Sequence, residues 1–85
     1  MNLFLIERYL KKIKKEDINH YATSQNINLT EKELDIIYTY FQTNYKTFLY
    51  SKELRPKLLT ELKSKLSLSL SYKIDELYNR YKNKI

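Results

Sequence analysis

The residues best suited to chemistry in this sequence are basic side chains near its start. A cluster of them lies between residues 8 and 15, namely Arg8, Lys11, Lys12, Lys14 and Lys15, and the whole chain carries nine tyrosines and a net charge of +6. Cationic side chains neutralise phosphates, and exposed aromatic rings can stack on bases. The pattern favours a binding module for nucleic acid or a ribonucleoprotein, and Arg8, Lys11, Lys12 and Lys15 are the predicted contacts.

Two other interpretations of this composition stay open. Most of the sixteen basic residues are lysine rather than arginine, the residue that reads bases best. A solvated lysine-rich surface, or the codon usage of an AT-rich genome, would produce the same charge. The alternative function is a protein–protein adaptor or small structural subunit that uses exposed tyrosine and leucine side chains. Tyr72, which lies off the apolar stripe of the last helix, is a candidate for such exposure.

Catalytic and metal-binding sites find little support in the sequence. His20 is the only histidine, and its neighbours Asp17 and Tyr21 form no known catalytic arrangement. One histidine and no cysteine leave zinc without a set of ligands. Glu31 and Asp35 share a helical face and could hold a divalent cation weakly, although solvated acids are the simpler interpretation. We therefore expect no enzymatic activity, no cofactor and no metal.

The composition also limits the fold and the compartment. There is no glycine, which phosphate-binding loops and tight hairpins require, so short helices are favoured. The chain lacks cysteine, which suits a reducing compartment. The apolar start, residues 3–6, is short and has no basic residue before it, so it does not resemble a signal peptide. No apolar run reaches the roughly 20 residues that span a membrane. The sequence predicts a cytoplasmic protein that does not bind membranes.

Apolar residues at helical spacing predict an all-α fold, a single domain over residues 1–85 with four to five short helices. The first helix is expected over residues 3–13, and the second over about 15–24 with Ile18, Tyr21 and Ala22 facing inward. The predicted core consists of the apolar residues on these stripes: Leu10, Ile13, Ile18, Tyr21, Leu34, Ile37, Phe41, Leu58, Leu62, Ile74 and Leu77.

The third helix has a complete start signal. Thr30 can cap the free N–H groups, and Glu33 can reach back to the N–H of Thr30. This helix is expected to continue to about Tyr45 and to break between residues 44 and 51. A helix-turn-helix over residues 15–45 would use this third helix to read DNA. The acids Glu31, Glu33 and Asp35 at its start would then meet phosphates, which argues against that use.

The later elements are less clearly marked. The fourth helix begins either at a Ser51 cap or with Pro56 at its first position. Leucine and serine alternate over residues 66–71, which is typical of a strand. A lone strand would have no pairing partner, so we favour a turn at Ser67 that caps a last helix reaching about Lys82.

Three segments resemble a known protein family. They are Ile18-Asn19-His20-Tyr21-Ala22, residues 27–33 (Ile-Asn-Leu-Thr-Glu-Lys-Glu) and residues 58–62 (Leu-Leu-Thr-Glu-Leu). Together they are similar to a short helical family of unknown function from low-GC Gram-positive bacteria. The glycine-containing central loop of that family is replaced here by residues 45–48. The resemblance implies a nucleic-acid context, because genes of the family often lie near those of DNA-repair and RNA-helicase enzymes.

Overall fold

Five α-helices and a final 3-10 turn make up most of the computed structural model, which describes residues 3–84. In chain order they are α1 (Leu3–Lys11), α2 (Lys15–Ser24), α3 (Glu31–Tyr50), α4 (Arg55–Lys63), α5 (Leu68–Tyr81) and η1 (Lys82–Lys84). No strand occurs within this range. The expected all-α bundle of four to five helices is therefore confirmed.

The start of α3 forms the capping box that its sequence predicts. The Thr30 hydroxyl accepts a hydrogen bond from the Glu33 N–H at 3.1 Å, and the Glu33 carboxylate accepts one from the Thr30 N–H at 3.0 Å. These bonds pair two backbone donors that the first helical turn would otherwise leave free.

Replacing Thr30 with alanine should therefore lower the free energy of unfolding by about 1 kcal/mol. Urea denaturation followed by circular dichroism measures this change. Thr39→Ala is the matched control, because Thr39 is exposed in the middle of the same helix. The control should be neutral or slightly stabilising, since alanine has the higher helix propensity. Equal losses in the two variants would contradict the role assigned to the cap.

The predicted break between residues 44 and 51 is wrong, because α3 continues unbroken to Tyr50. Its polar side chains bond to the helix instead of interrupting it. Thr43 donates to the carbonyl of Thr39 at 3.1 Å, and Asn44 donates to the carbonyl of Tyr40 at 3.0 Å. The burial of Leu49 then extends the apolar face by another turn.

The other helix boundaries differ less from expectation. α1 ends at Lys11, two residues before the predicted limit, and α4 begins at Arg55 with Pro56 in its first turn. The hydroxyl of Ser67 accepts from the Leu70 N–H at 3.2 Å and caps α5. The turn at Ser67 is confirmed, and the strand alternative for residues 66–71 is wrong.

α3 is the central element of the bundle. α1, α2 and α4 all pack against it. Among residues 3–84, the backbone of α5 comes equally close only to α4 and to η1. The buried apolar residues of the described range are Ala22, Ile27, Leu49, Leu62 and Leu70. Of the predicted core only Leu62 is among them. The others are half-buried, apart from Tyr21, which was expected in the core and is 47% exposed.

Candidate functional site

The outward side of α1 combines exposed aromatic and basic residues. Leu3, Ile6 and Leu10 are half-buried on the inward side of the helix. The helical repeat therefore turns residues 4, 5, 8, 9 and 11 to solvent, whereas Glu7 is half-buried. We define the α1 surface as the aromatic and basic members of this exposed set together with the adjacent Lys12: Phe4, Arg8, Tyr9, Lys11 and Lys12.

The one acid among residues 1–15, Glu7, does not oppose this positive charge on the outer side. Its side chain is only 22% exposed, and its carboxylate accepts a hydrogen bond from the Tyr50 hydroxyl at 2.7 Å. The Lys46 ammonium lies 3.8 Å from the other carboxylate oxygen. Glu7 is thus directed to the end of α3, and the charged side chains of the α1 surface are all basic.

The hydrogen bond to Glu7 raises the pKa of the Tyr50 phenol above its ordinary value. A raised pKa means that the folded state favours the protonated phenol. The stabilisation is therefore fully present below the pKa of the unfolded chain, about 10, and is lost as the pH rises through the higher folded value. The link between α1 and α3 is intact at neutral pH.

Lys15 lies apart from the other predicted contacts. Its ammonium pairs with the Asp35 carboxylate and lies 5.7 Å from the centre of the Tyr38 ring. The hydrogen bond to Asp35 raises the pKa of Lys15. Although the side chain is exposed, its charge is offset by an acid of α3. The structure therefore brings Arg8, Lys11 and Lys12 together and places Lys15 at the contact between α2 and α3.

A cavity of about 350 Å³ lies at the centre of the bundle. All five helices line it, mostly with apolar side chains such as Ile18, Ile37, Phe41, Leu62 and Leu77. The cavity explains why much of the predicted core is only half-buried. Sequence reasoning missed it, because a side chain that fills a core and one that lines a cavity have the same helical spacing.

The only buried charged residue within the described range is Arg55, at 4% exposure. Its guanidinium donates from Nε to the carbonyl of Phe48 and from Nη2 to the carbonyl of Leu49. It also lies 5.7 Å from the centre of the Phe48 ring. These carbonyls belong to the last turn of α3, where partial negative charge accumulates. Arg55 is therefore a structural residue that joins α4 to the end of α3.

The remaining candidates do not assemble into a site. His20 is exposed, and Asp35 is paired with Lys15. Among residues 3–84, no three histidine, cysteine, aspartate or glutamate side chains lie close enough together to hold a metal ion. In the same range, no helix has both the length and the apolar character needed to cross a membrane.

No protein-family model, curated protein or solved structure matches this chain. The resemblance to the helical family of Gram-positive bacteria thus stays a prediction. The function has to be inferred from the α1 surface, the cavity and the chemistry of the residues that form them.

Proposed function

We propose that the protein is a non-catalytic binding module that contacts single-stranded nucleic acid through the α1 surface. The observation that carries the proposal is the arrangement of α1. Its outer side presents Phe4 and Tyr9 among Arg8, Lys11 and Lys12, while Glu7 is engaged with α3. A cytoplasmic location is part of the proposal, because the cysteine-free composition suits a reducing compartment.

The aromatic residues favour a single strand over a duplex. Phe4 and Tyr9 are both more than half exposed. Unpaired bases offer their faces to such rings, and stacking on an aromatic side chain contributes about 1–3 kcal/mol per base. The bases of a duplex are already stacked on one another. The neighbouring basic groups would hold the phosphates between the stacked bases.

The test is the triple variant Arg8→Glu, Lys11→Glu, Lys12→Glu. All three side chains are exposed, so the fold should be retained. Affinity for a labelled polyuridine or polythymidine strand, measured by fluorescence anisotropy, should fall at least about tenfold at low salt. The slope of log affinity against log salt should decrease by about 2, because each contact with a single strand contributes about 0.7.

A second triple variant, Lys52→Glu, Lys57→Glu, Lys73→Glu, is the matched control. It changes the net charge by the same amount at exposed positions outside α1. Its affinity should decrease much less. Equal losses would show that total charge, rather than the α1 surface, governs binding. If the wild-type protein binds neither strand at low salt, the nucleic-acid proposal is rejected.

A second candidate, the protein–protein adaptor, is favoured by the exposed apolar residues of α5. Leu68 and Tyr72 lie one helical turn apart, and both are largely exposed. An apolar interface at this position would respond weakly to salt, whereas phosphate contacts weaken steeply as salt rises. Salt dependence of partner capture, repeated after nuclease treatment, separates the two functions.

A further inference from the structure

The central cavity points to a second binding activity, distinct from the one assigned to the α1 surface. We propose that it binds a neutral apolar small molecule about the size of two aromatic rings. Of the α1 surface, only Tyr9 also borders the cavity. The two sites can therefore be tested separately.

The size of the ligand follows from the volume. An apolar cavity of roughly 150 Å³ holds one benzene molecule. The cavity in this protein measures about 350 Å³, which is room for roughly two such rings. This volume also falls within the range of ordinary small-molecule sites, about 300–1,000 Å³.

The interior of the cavity favours an uncharged ligand. Its walls are almost entirely apolar, and two of their polar side chains are already engaged. The Tyr40 hydroxyl donates to the Leu58 carbonyl at 2.9 Å, and the Asn44 amide donates to the Tyr40 carbonyl at 3.0 Å. A charged group placed among these walls would lose its hydration without gaining an ionic partner there.

The mouth of the cavity disfavours anions. Among the lining residues, only Tyr9, Asp17 and Tyr21 are exposed, so they mark the opening to solvent. The Asp17 carboxylate accepts a hydrogen bond from the Lys14 N–H at 2.9 Å and remains in contact with water. A carboxylate or sulfonate beside Asp17 would meet a like charge. The guanidinium of Arg80 lies near Tyr21, but it is already hydrogen-bonded to Gln25 and lies beside the Glu76 carboxylate. A fatty acid is therefore a poorer fit than a neutral molecule.

The packing of the bundle supports a bound molecule rather than a void. Protein interiors are close-packed, and few empty spaces exceed the size of a water molecule. Here the α5 backbone approaches only α4 and η1 closely, yet Leu70, Ile74 and Leu77 of α5 all line the cavity. Leu70 already packs with Ala22 and Ile27, but Ile74 and Leu77 are only half-buried. A ligand in the cavity would cover the apolar surface that these two side chains leave exposed.

The test compares two probes with the same ring framework. Both are naphthalenes with two fused rings: 6-propionyl-2-dimethylaminonaphthalene is neutral, and 6-dimethylaminonaphthalene-2-sulfonate carries one negative charge in place of the propionyl group. The neutral probe should bind saturably, one per protein, with enhanced fluorescence, and it should raise the Tm because it stabilises the native state. It should bind at least about tenfold more tightly than the sulfonate. Equal affinities would overturn the neutral assignment, and the absence of saturation or of a rise in Tm would overturn the site.

A cavity-filling variant locates the binding. Ala22 is buried and lines the cavity, so Ala22→Leu should abolish probe binding and raise the Tm of the free protein. Ser69→Leu, which adds a leucine at an exposed position of α5, should leave binding unchanged. Leu59→Trp is a second filling variant for use if Ala22→Leu does not fold. Undiminished binding in a folded filling variant overturns the proposal. Loss of the fold in both also overturns it, because the interior would then have no room.

Discussion

Replacing Arg55 with methionine is expected to lower the free energy of unfolding by about 3 kcal/mol. The side chain is buried, and two of its donors reach the carbonyls of Phe48 and Leu49. Hydrogen bonds that involve a charged group contribute about 1.5–3 kcal/mol each. Part of their loss is offset, because the methionine variant no longer has to bury a cation. Urea denaturation followed by circular dichroism would measure the change. For a domain of this size the loss is a large part of the total stability.

Arg80→Met is the matched control, since the Arg80 side chain is half exposed, the Glu76 carboxylate is 4.0 Å away, and the hydrogen bond from Arg80 to the Gln25 side chain lies at the surface. It should change stability by about 0.5 kcal/mol or less. Arg55→Lys should restore little of the lost free energy of unfolding, because one ammonium cannot donate to both carbonyls with the geometry of a guanidinium. Full rescue by lysine would show that charge alone matters at this position.

Truncating Leu49 to alanine should have an effect of similar size, about 3 kcal/mol, in the same denaturation measurement. Leu49 is 3% exposed and belongs to the turn of α3 that Arg55 contacts. Removing its buried methyl groups loses their transfer free energy and leaves a new void, which together account for about 2–5 kcal/mol in leucine-to-alanine variants.

The same substitution at Leu68 is the control. Leu68 is 71% exposed at the start of α5, so Leu68→Ala should stay within about 0.5 kcal/mol. Similar losses at the two positions would contradict the burial of Leu49.

Local signals in the sequence predicted where α3 and α5 begin but not where α3 ends. The caps at Thr30 and Ser67 depend on residues within three positions of each other, so they can be recognised without the fold. The continuation of α3 to Tyr50 depends on Arg55, which holds its last carbonyls from another helix. A contact of that kind has no counterpart in helical periodicity.

The candidate sites show the same difference between short-range signals, which can be recognised in the sequence, and contacts between distant residues, which cannot. The exposure of Lys11 and Lys12 follows from the apolar stripe of α1, and it was predicted. The pairing of Lys15 with Asp35 joins residues that are far apart in the chain, and it was not. The cavity is a property of how five helices meet. It depends on the distance of the α5 backbone from α1, α2 and α3, which no local pattern encodes.

The way in which α5 is attached has a kinetic consequence. Its side chains, rather than its backbone, connect it to the rest of the bundle: Leu70, Ile74 and Leu77 pack with Ala22 and Ile27 in one apolar cluster. A molecule larger than the mouth of the cavity can enter only when such side-chain contacts separate. The frequency of that local opening, rather than diffusion, would then set how fast the molecule enters or leaves the interior.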